Sequence, residues 1–177
     1  DTAEARKLIG ATATLEYRAV VEGNAEEAAR TGVVPPGARL YYKRPMVPGA
    51  PRQPILLSRR VIASGDQLVT AAAIPDPQSG APAVSIELNR AGGDRMQAFT
   101  LENVGKRMGT VYIETIPEVR MVDGKEVRTS RVVEEVINDA TIQGVFGRNF
   151  QTTGLESMDE ATNLARLLRA GSLAAPM

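Results

Sequence analysis

The sequence predicts an α+β fold: a split ferredoxin-like base interrupted by an inserted, mainly antiparallel-β head that carries one helix. Three observations lead there. Residues 4–17 and 160–175 each read as helix, glycine, strand, with Leu8 and Gly10 in the first and Leu167, Leu168 and Gly171 in the second; a split βαβ unit around an insertion has this form. Residues 45–54, PMVPGAPRQP, hold four of the eleven prolines, and proline, with φ fixed and no N–H, marks a linker. Between these landmarks the apolar residues mostly alternate, as half-buried strands do. The expected division is base 1–50, head 51–150, base 151–177.

Each element has its own warrant. Residues 2–9 read as a helix closed by Gly10. Ala13, Leu15, Tyr17, Ala19 and Val21 alternate with Thr14, Glu16 and Arg18, a strand with one wet face. Residues 24–31 suit a short helix ended by Gly32, and Leu40–Tyr42 a short strand. Strands are expected at 55–63, placing Arg59 and Arg60 on opposite faces, and at 67–74 after a Gly65-Asp66 turn. Val84, Ile86 and Leu88 alternate with polar residues in another strand. Asp94 with Gln97 three residues on resembles a capping box for a helix ending near Gly105. Met96, Phe99 and Val104 share one face of that helix, and Leu101 lies on the other. Strands at 109–116 and 126–138 flank Asp123-Gly124, a hairpin-turn signal. Apolar residues on both faces of 132–137 suggest a central strand. A short strand is expected at 149–153. The last helix begins with the capping box Ser157-x-x-Glu160, carries the stripe Met158, Ala161, Leu164, Ala165, Leu168, and is expected to close at Gly171 before a strand at 172–175.

Composition narrows the function. The chain has 177 residues, 43% of them hydrophobic, 24% charged and only 4% aromatic, enough for a packed core without staples. It has no His and no Cys, which excludes the usual zinc, haem and iron–sulfur ligand sets and every triad or nucleophile built on those residues. Lys+Arg and Asp+Glu both number 21, without the basic excess that phosphate backbones require. No run is long and apolar enough to cross a bilayer. Starting at Asp1-Thr2-Ala3 and stopping at Ala175-Pro176-Met177, the chain reads as an excised soluble piece, expected to be monomeric.

Candidate chemistry is sparse. Glu134 and Glu135 are neighbours on a strand and point to opposite faces, so they form no shared-proton dyad. Asp159 and Glu160 fit the first turn of a helix, where the dipole favours acids. Ala91-Gly92-Gly93-Asp94 precedes no Lys-Ser/Thr pair, and its Asp would repel a phosphate. No enzyme and no cofactor emerge. Leu101, off its helix stripe, and Phe146, on a loop, are the candidates for an exposed binding surface.

Several long strings carry a resemblance: ARKLIGATATLEYR at 5–18, ELNRAGGDRMQAFTLENVGKRMGTVYIE at 87–114, VEEVINDATIQGVFGRNFQTTGL at 133–155 and ATNLARLLRAGSLAAPM at 161–177. They resemble the first large periplasmic domain of the SecD family, most weakly over 19–54 and 67–83. The resemblance implies a periplasmic domain of a bacterial inner-membrane protein related to RND transporters. It implies partners SecF and SecYEG, and a role in holding or pulling unfolded preproteins under the proton gradient. It also implies a ferredoxin-like base with a swinging head, and proton-carrying residues in membrane helices outside this chain. Hinges are then expected where the chain crosses between base and head: Pro48, Gly49 and Pro51 at the first crossing, Gly147 and Gly154 at the second. Leu101 and Phe146 become the expected preprotein contacts. The alternative is a docking or spacer module that touches Sec partners and transmits motion without binding substrate.

Overall fold

The computed structural model describes residues 12–45, 47, 49–153, 155 and 157–174. In chain order the elements are β1 (Thr12–Ala19), α1 (Ala25–Thr31), β2 (Ala38–Tyr42), β3 (Pro54–Ser58), β4 (Ala63–Ser64), a 3-10 turn (Gly65–Gln67), β5 (Leu68–Pro75), β6 (Pro82–Leu88), α2 (Arg90–Glu102), β7 (Arg107–Val122), β8 (Lys125–Thr141), β9 (Asn149–Thr152) and α3 (Met158–Ala174). The class is α+β, and the paired strands are antiparallel throughout. They form a four-stranded sheet β4-β1-β7-β8, a hairpin β2-β3, and a three-stranded sheet β5-β6-β9.

Two cores lie on opposite faces of the four-stranded sheet. The larger takes Leu15 and Tyr17 from β1, Val84, Ile86 and Leu88 from β6, Met96 from α2, and Leu164 and Leu168 from α3. The smaller gathers Tyr41, Ile55, Leu57, Val111 and Val136 under the β2–β3 hairpin. Successive residues of one strand serve both. Tyr112 and Ile137 enter the larger core, and their neighbours Val111 and Val136 the smaller. For Val111 and Tyr112 the period of two in a strand dictates this, because adjacent side chains point to opposite faces; Val136 and Ile137 stand at the register shift opposite Thr110 and Val111.

Several expectations need correction. The described residues among 43–53 join two strands that pair with each other. They are the loop of the β2–β3 hairpin, whose ends meet at Tyr42↔Pro54 and through Lys43 N–H donating to Gln53 O at 2.8 Å. The larger core draws on residues from 1–50, 51–150 and 151–177 alike. β8 ends the four-stranded sheet instead of lying at its centre. Its two apolar faces are explained by a different core on each side, and its outer edge is bridged at one point, Lys43↔Val136, in parallel.

The strand expected over 55–63 stops at Ser58 and resumes for two residues at Ala63. Buried Arg18 donates to the carbonyls of Ser58 and Arg59 at 3.0 and 2.7 Å, and Arg59 N–H turns to Gly37 O, so Arg59 and Arg60 sit in a bend. α2 begins four residues before Asp94. Asn89 caps it, accepting from Gly92 N–H at 2.9 Å, so Gly92 and Gly93 are helical. Those glycines permit close packing: a Cβ on Gly93 would stand 2.1 Å from Arg148 Cγ. Val104 is exposed, off the face that Met96 and Phe99 bury. α3 runs through Gly171 to Ala174, displacing the strand expected there. The helix expected over 2–9 lies outside the described residues.

Other expectations hold. Asn24 and Gly32 cap α1, Gly32 at φ +78°. Glu160 N–H donates to Ser157 Oγ at the start of α3. Asp123 and Gly124 both have positive φ, 51° and 77°, the two-residue turn that matches strand twist. Beyond residue 118 the β7–β8 pair leaves the body: every residue from 119 to 132 is exposed.

A candidate polypeptide-binding groove

A groove of about 450 Å³ opens between the end of β8 and β9, floored by Tyr17, Met108 and Phe150. One wall is Asn138, Ala140 and Thr141 of β8, whose inner edge is taken by β7. The other is Gln151–Thr153 at the end of β9, which pairs with β6 alone among the described strands. The lip is the 142–146 loop, including Phe146.

Aromatic packing shapes the floor. Tyr17 meets Phe150 edge-on at 5.1 Å between ring centres, and Phe146 lies tilted against Phe150 at 5.3 Å. Such offset contacts are favoured by the ring quadrupoles. The Tyr17 hydroxyl shares a hydrogen bond of 2.7 Å with Thr152 Oγ1. Burial pushes the Tyr17 phenol well above its ordinary range, opposed by that bond, so it stays neutral. Across the far end, Asn138 Nδ2 donates to Thr153 Oγ1 at 2.8 Å and fixes the separation of the walls. The surface is therefore apolar below and amide- or hydroxyl-bearing at its sides, with no charge on the floor.

An ion network holds the β2–β3 hairpin to β8 and α3. Arg44 bonds Glu135 at 2.8 Å and also pairs with Glu160 on α3, its guanidinium 6.0 Å above the Tyr112 ring. Burial opposes the Arg44 charge, but the bonds and charges of Glu135 and Glu160 outweigh it and raise its pKa. Lys43 and Arg107 both pair with Asp139. Glu134, on the opposite face as its position required, pairs with Arg39 at 2.9 Å.

The residues singled out in the sequence divide sharply. Leu101 is 66% exposed. Phe146 is half-buried against the larger core, so it is a lip of the groove more than a free loop side chain. Both lie in one neighbourhood, because Thr100 Oγ1 donates to Phe146 O at 3.0 Å. Gly49 (φ +84°) and Pro51 belong to the β2–β3 loop. Gly147 packs against α2, where a Cβ would stand 3.2 Å from Gly93 O. Pro48 and Gly154 lie outside the described residues. Sequence reading missed Tyr17, Asn138, Phe150 and Thr153. The signal available was the scarcity of aromatics: Tyr17, Phe146 and Phe150 are three of only seven Phe and Tyr residues, and they converge.

Comparison with known proteins agrees with this architecture. Residues 38–175 match the family model for the SecDF P1 head subdomain, a range that begins before and ends beyond the head expected from the sequence. The protein translocase subunit SecD of Escherichia coli K12 is 39% identical over 181 residues, that of Pseudomonas aeruginosa 42% over 185, and that of Haemophilus influenzae 36% over 181. Each match covers 100% of this chain and 28% of the relative, so the chain spans little more than a quarter of their length. Among solved structures, SecDF described as a membrane component that enhances protein export aligns over 99% of this chain and 70% of that one, at 25% identity and a TM-score of 0.58. SecDF in its super-membrane-facing form aligns over 99% of this chain and 21% of that one, at 25% identity and a TM-score of 0.56. This chain belongs to the SecD family, in the part that contains the P1 head subdomain.

Proposed function

We propose that this chain is a periplasmic part of a protein-export subunit and that its groove receives extended, unfolded polypeptide. The observation that carries the reading is the pair of strand walls. β8 and β9 face each other across an apolar floor, and strand edges offer main-chain N–H and C=O groups that any polypeptide can satisfy. A surface that reads backbone suits cargo of unrelated sequence, and an uncharged floor avoids rejecting cargo of either charge. Binding of this kind needs no catalysis. Family membership supports the setting: in the intact protein the step stands beside SecF and the SecYEG channel, with the proton gradient driving motion.

The same geometry argues for where movement does not occur. The hairpin loop that holds Gly49 and Pro51 starts beside residues pinned to β8 and α3 by Arg44 and to β8 by Lys43. We therefore place any swing of the head outside that loop.

The test is an NMR titration of the chain with an unfolded, cysteine-free preprotein. Shifts at Asn138–Thr141, Phe146, Phe150 and Gln151–Thr153, lost when Ala140→Trp fills the groove, are the expected result. Shifts that survive Ala140→Trp, or that fall elsewhere, would move the cargo site. No shifts at millimolar concentration would favour the docking or spacer role.

A further inference from the structure

Among the described residues, the β7–β8 pair continues as a two-stranded ribbon without a third strand after the body ends. β1 accompanies β7 only as far as Thr12↔Thr115, so from Ile116 to Val122 the outer edge of β7 has no strand beside it among the described residues. Val119, Met121 and Val122 are 60%, 67% and 49% exposed. Apolar side chains concentrated on an unpaired edge are what an aggregation-averse protein normally removes. Arg120 has no carboxylate within ion-pair range among the described residues, whereas Glu118 is bonded by Arg131 at 2.8 Å.

The segment Ile116-Pro117-Glu118-Val119-Arg120-Met121-Val122 complements itself. Laid antiparallel against a second copy about Val119, it places Val119 opposite Val119, Glu118 opposite Arg120 in both directions, Pro117 opposite Met121 and Ile116 opposite Val122. Cross-strand pairs of opposite charge and apolar pairs are the favourable ones, and no like-charge pair arises. Arg120 gains a carboxylate partner from the second copy, and Glu118 becomes the centre of an Arg131–Glu118–Arg120 cluster.

Hydrogen bonding permits the arrangement and limits it. In a hairpin with a two-residue turn, the residues flanking the turn bond across it, so Val122 points its N–H and C=O at β8. Alternation then turns those of Met121, Val119 and Pro117 outward. Across the two-fold, Val119 exchanges two bonds with its copy, and each Met121 N–H donates to the other copy's Pro117 O. Pro117 has no N–H to return, which shortens the ladder and keeps it from extending into a fibre. The contact is also closed, because the same edge is used by both copies.

We propose that the outer edge of β7 over 116–122 is a self-docking surface through which two copies of this chain form a weak two-fold dimer. The chain has no cysteine, so Val119→Cys introduces the only thiol, placed at the axis within disulfide reach of its counterpart. Under mild oxidation Val119→Cys forms a covalent dimer, whereas Val127→Cys, on the neighbouring strand of the ribbon, does not. Sedimentation equilibrium shows a concentration-dependent monomer–dimer balance. Arg120→Glu weakens it at least about tenfold, because Glu118 of each copy then faces a second carboxylate across the axis. Glu118→Lys combined with Arg120→Glu and Arg131→Glu, which keeps an opposite charge beside position 118, restores it to within about threefold. A chain that stays monomeric at every concentration, equal cross-linking at 119 and 127, or failure of the full charge exchange at 118, 120 and 131 to restore association overturns the proposal. So does protection of the ribbon by added unfolded polypeptide in a chain that shows no self-association.

Discussion

β7 and β8 are paired from end to end, yet their two halves live in different surroundings. Near Val111 and Val136 each face of the pair is covered, one by the β2–β3 hairpin and the other by the larger core. Near Val119 and Val127 the same residue type is exposed to water. Backbone pairing runs through both halves, with one register shift, between Thr110 and Val111, in the covered half. What differs is third-layer packing, and a two-stranded ribbon without it has little stability of its own. The comparison separates what holds this molecule together from what it presents.

The largest expected contrast comes from removing equivalent apolar groups in the two halves. Leu57 is wholly buried in the smaller core, and Leu57→Ala is expected to cost about 2–5 kcal/mol by urea unfolding. Val119→Ala, measured at concentrations where the chain is monomeric, should cost less than about 0.5 kcal/mol. Similar costs at both positions would mean that the ribbon is covered after all.

A smaller effect should follow from the ion network that ties the hairpin to the body. Arg44 and Glu135 keep 21% and 13% side-chain exposure, so solvent screens part of their attraction. Arg44→Met is expected to destabilise by roughly 1–3 kcal/mol, below the cost of breaking a fully buried pair. Hydrogen exchange should quicken along β2 and the start of α3 while the ribbon amides stay as they were.

The smallest effect is at the groove floor, and it carries a pH signature. Tyr17→Phe deletes one hydrogen bond to Thr152, worth about 1 kcal/mol. The Tyr17 pKa is raised in the folded state above the ordinary value of 10.0. The neutral form is therefore the one that folding favours. Its contribution is complete below pH 10 and is lost progressively as the unfolded chain ionises above that. Alkaline unfolding titrations should show a drop in stability above pH 10 in the parent chain that is reduced in Tyr17→Phe. An equal drop in both would assign the alkaline effect to another group.

Much of the local structure was readable in advance because its causes are local. Alternation along 13–17 and 84–88, the Asp123-Gly124 turn, Gly32 after α1 and Ser157 before α3 all act within a few residues. Misreadings arose where a local signal had two explanations. Asp94 with Gln97 has the form of a cap, but Asn89 was available five residues earlier to turn its side chain onto Gly92. Four prolines mark a break in regular structure, and a break can be a linker or the loop of a hairpin. Only the pairing of β2 with β3 decides which. Of the candidate site, Phe146 was visible as an aromatic on a loop. Tyr17 and Phe150 were hidden because each reads as an ordinary inward residue of its strand.

By itself the sequence determined the α+β class, the order of most elements, the inward faces of β1 and β6, and the exclusion of His- and Cys-based chemistry. These depend on residue type and spacing, which are properties of the chain. Tertiary structure alone decided that Pro45–Pro54 closes on itself, that β8 carries two cores instead of lying mid-sheet, that Arg44 binds Glu135 across 91 positions, and that the groove and the bare ribbon lie at opposite ends of one strand. Those outcomes depend on which distant segment covers a given face. An apolar face states only that it must be covered, and it is silent about by what.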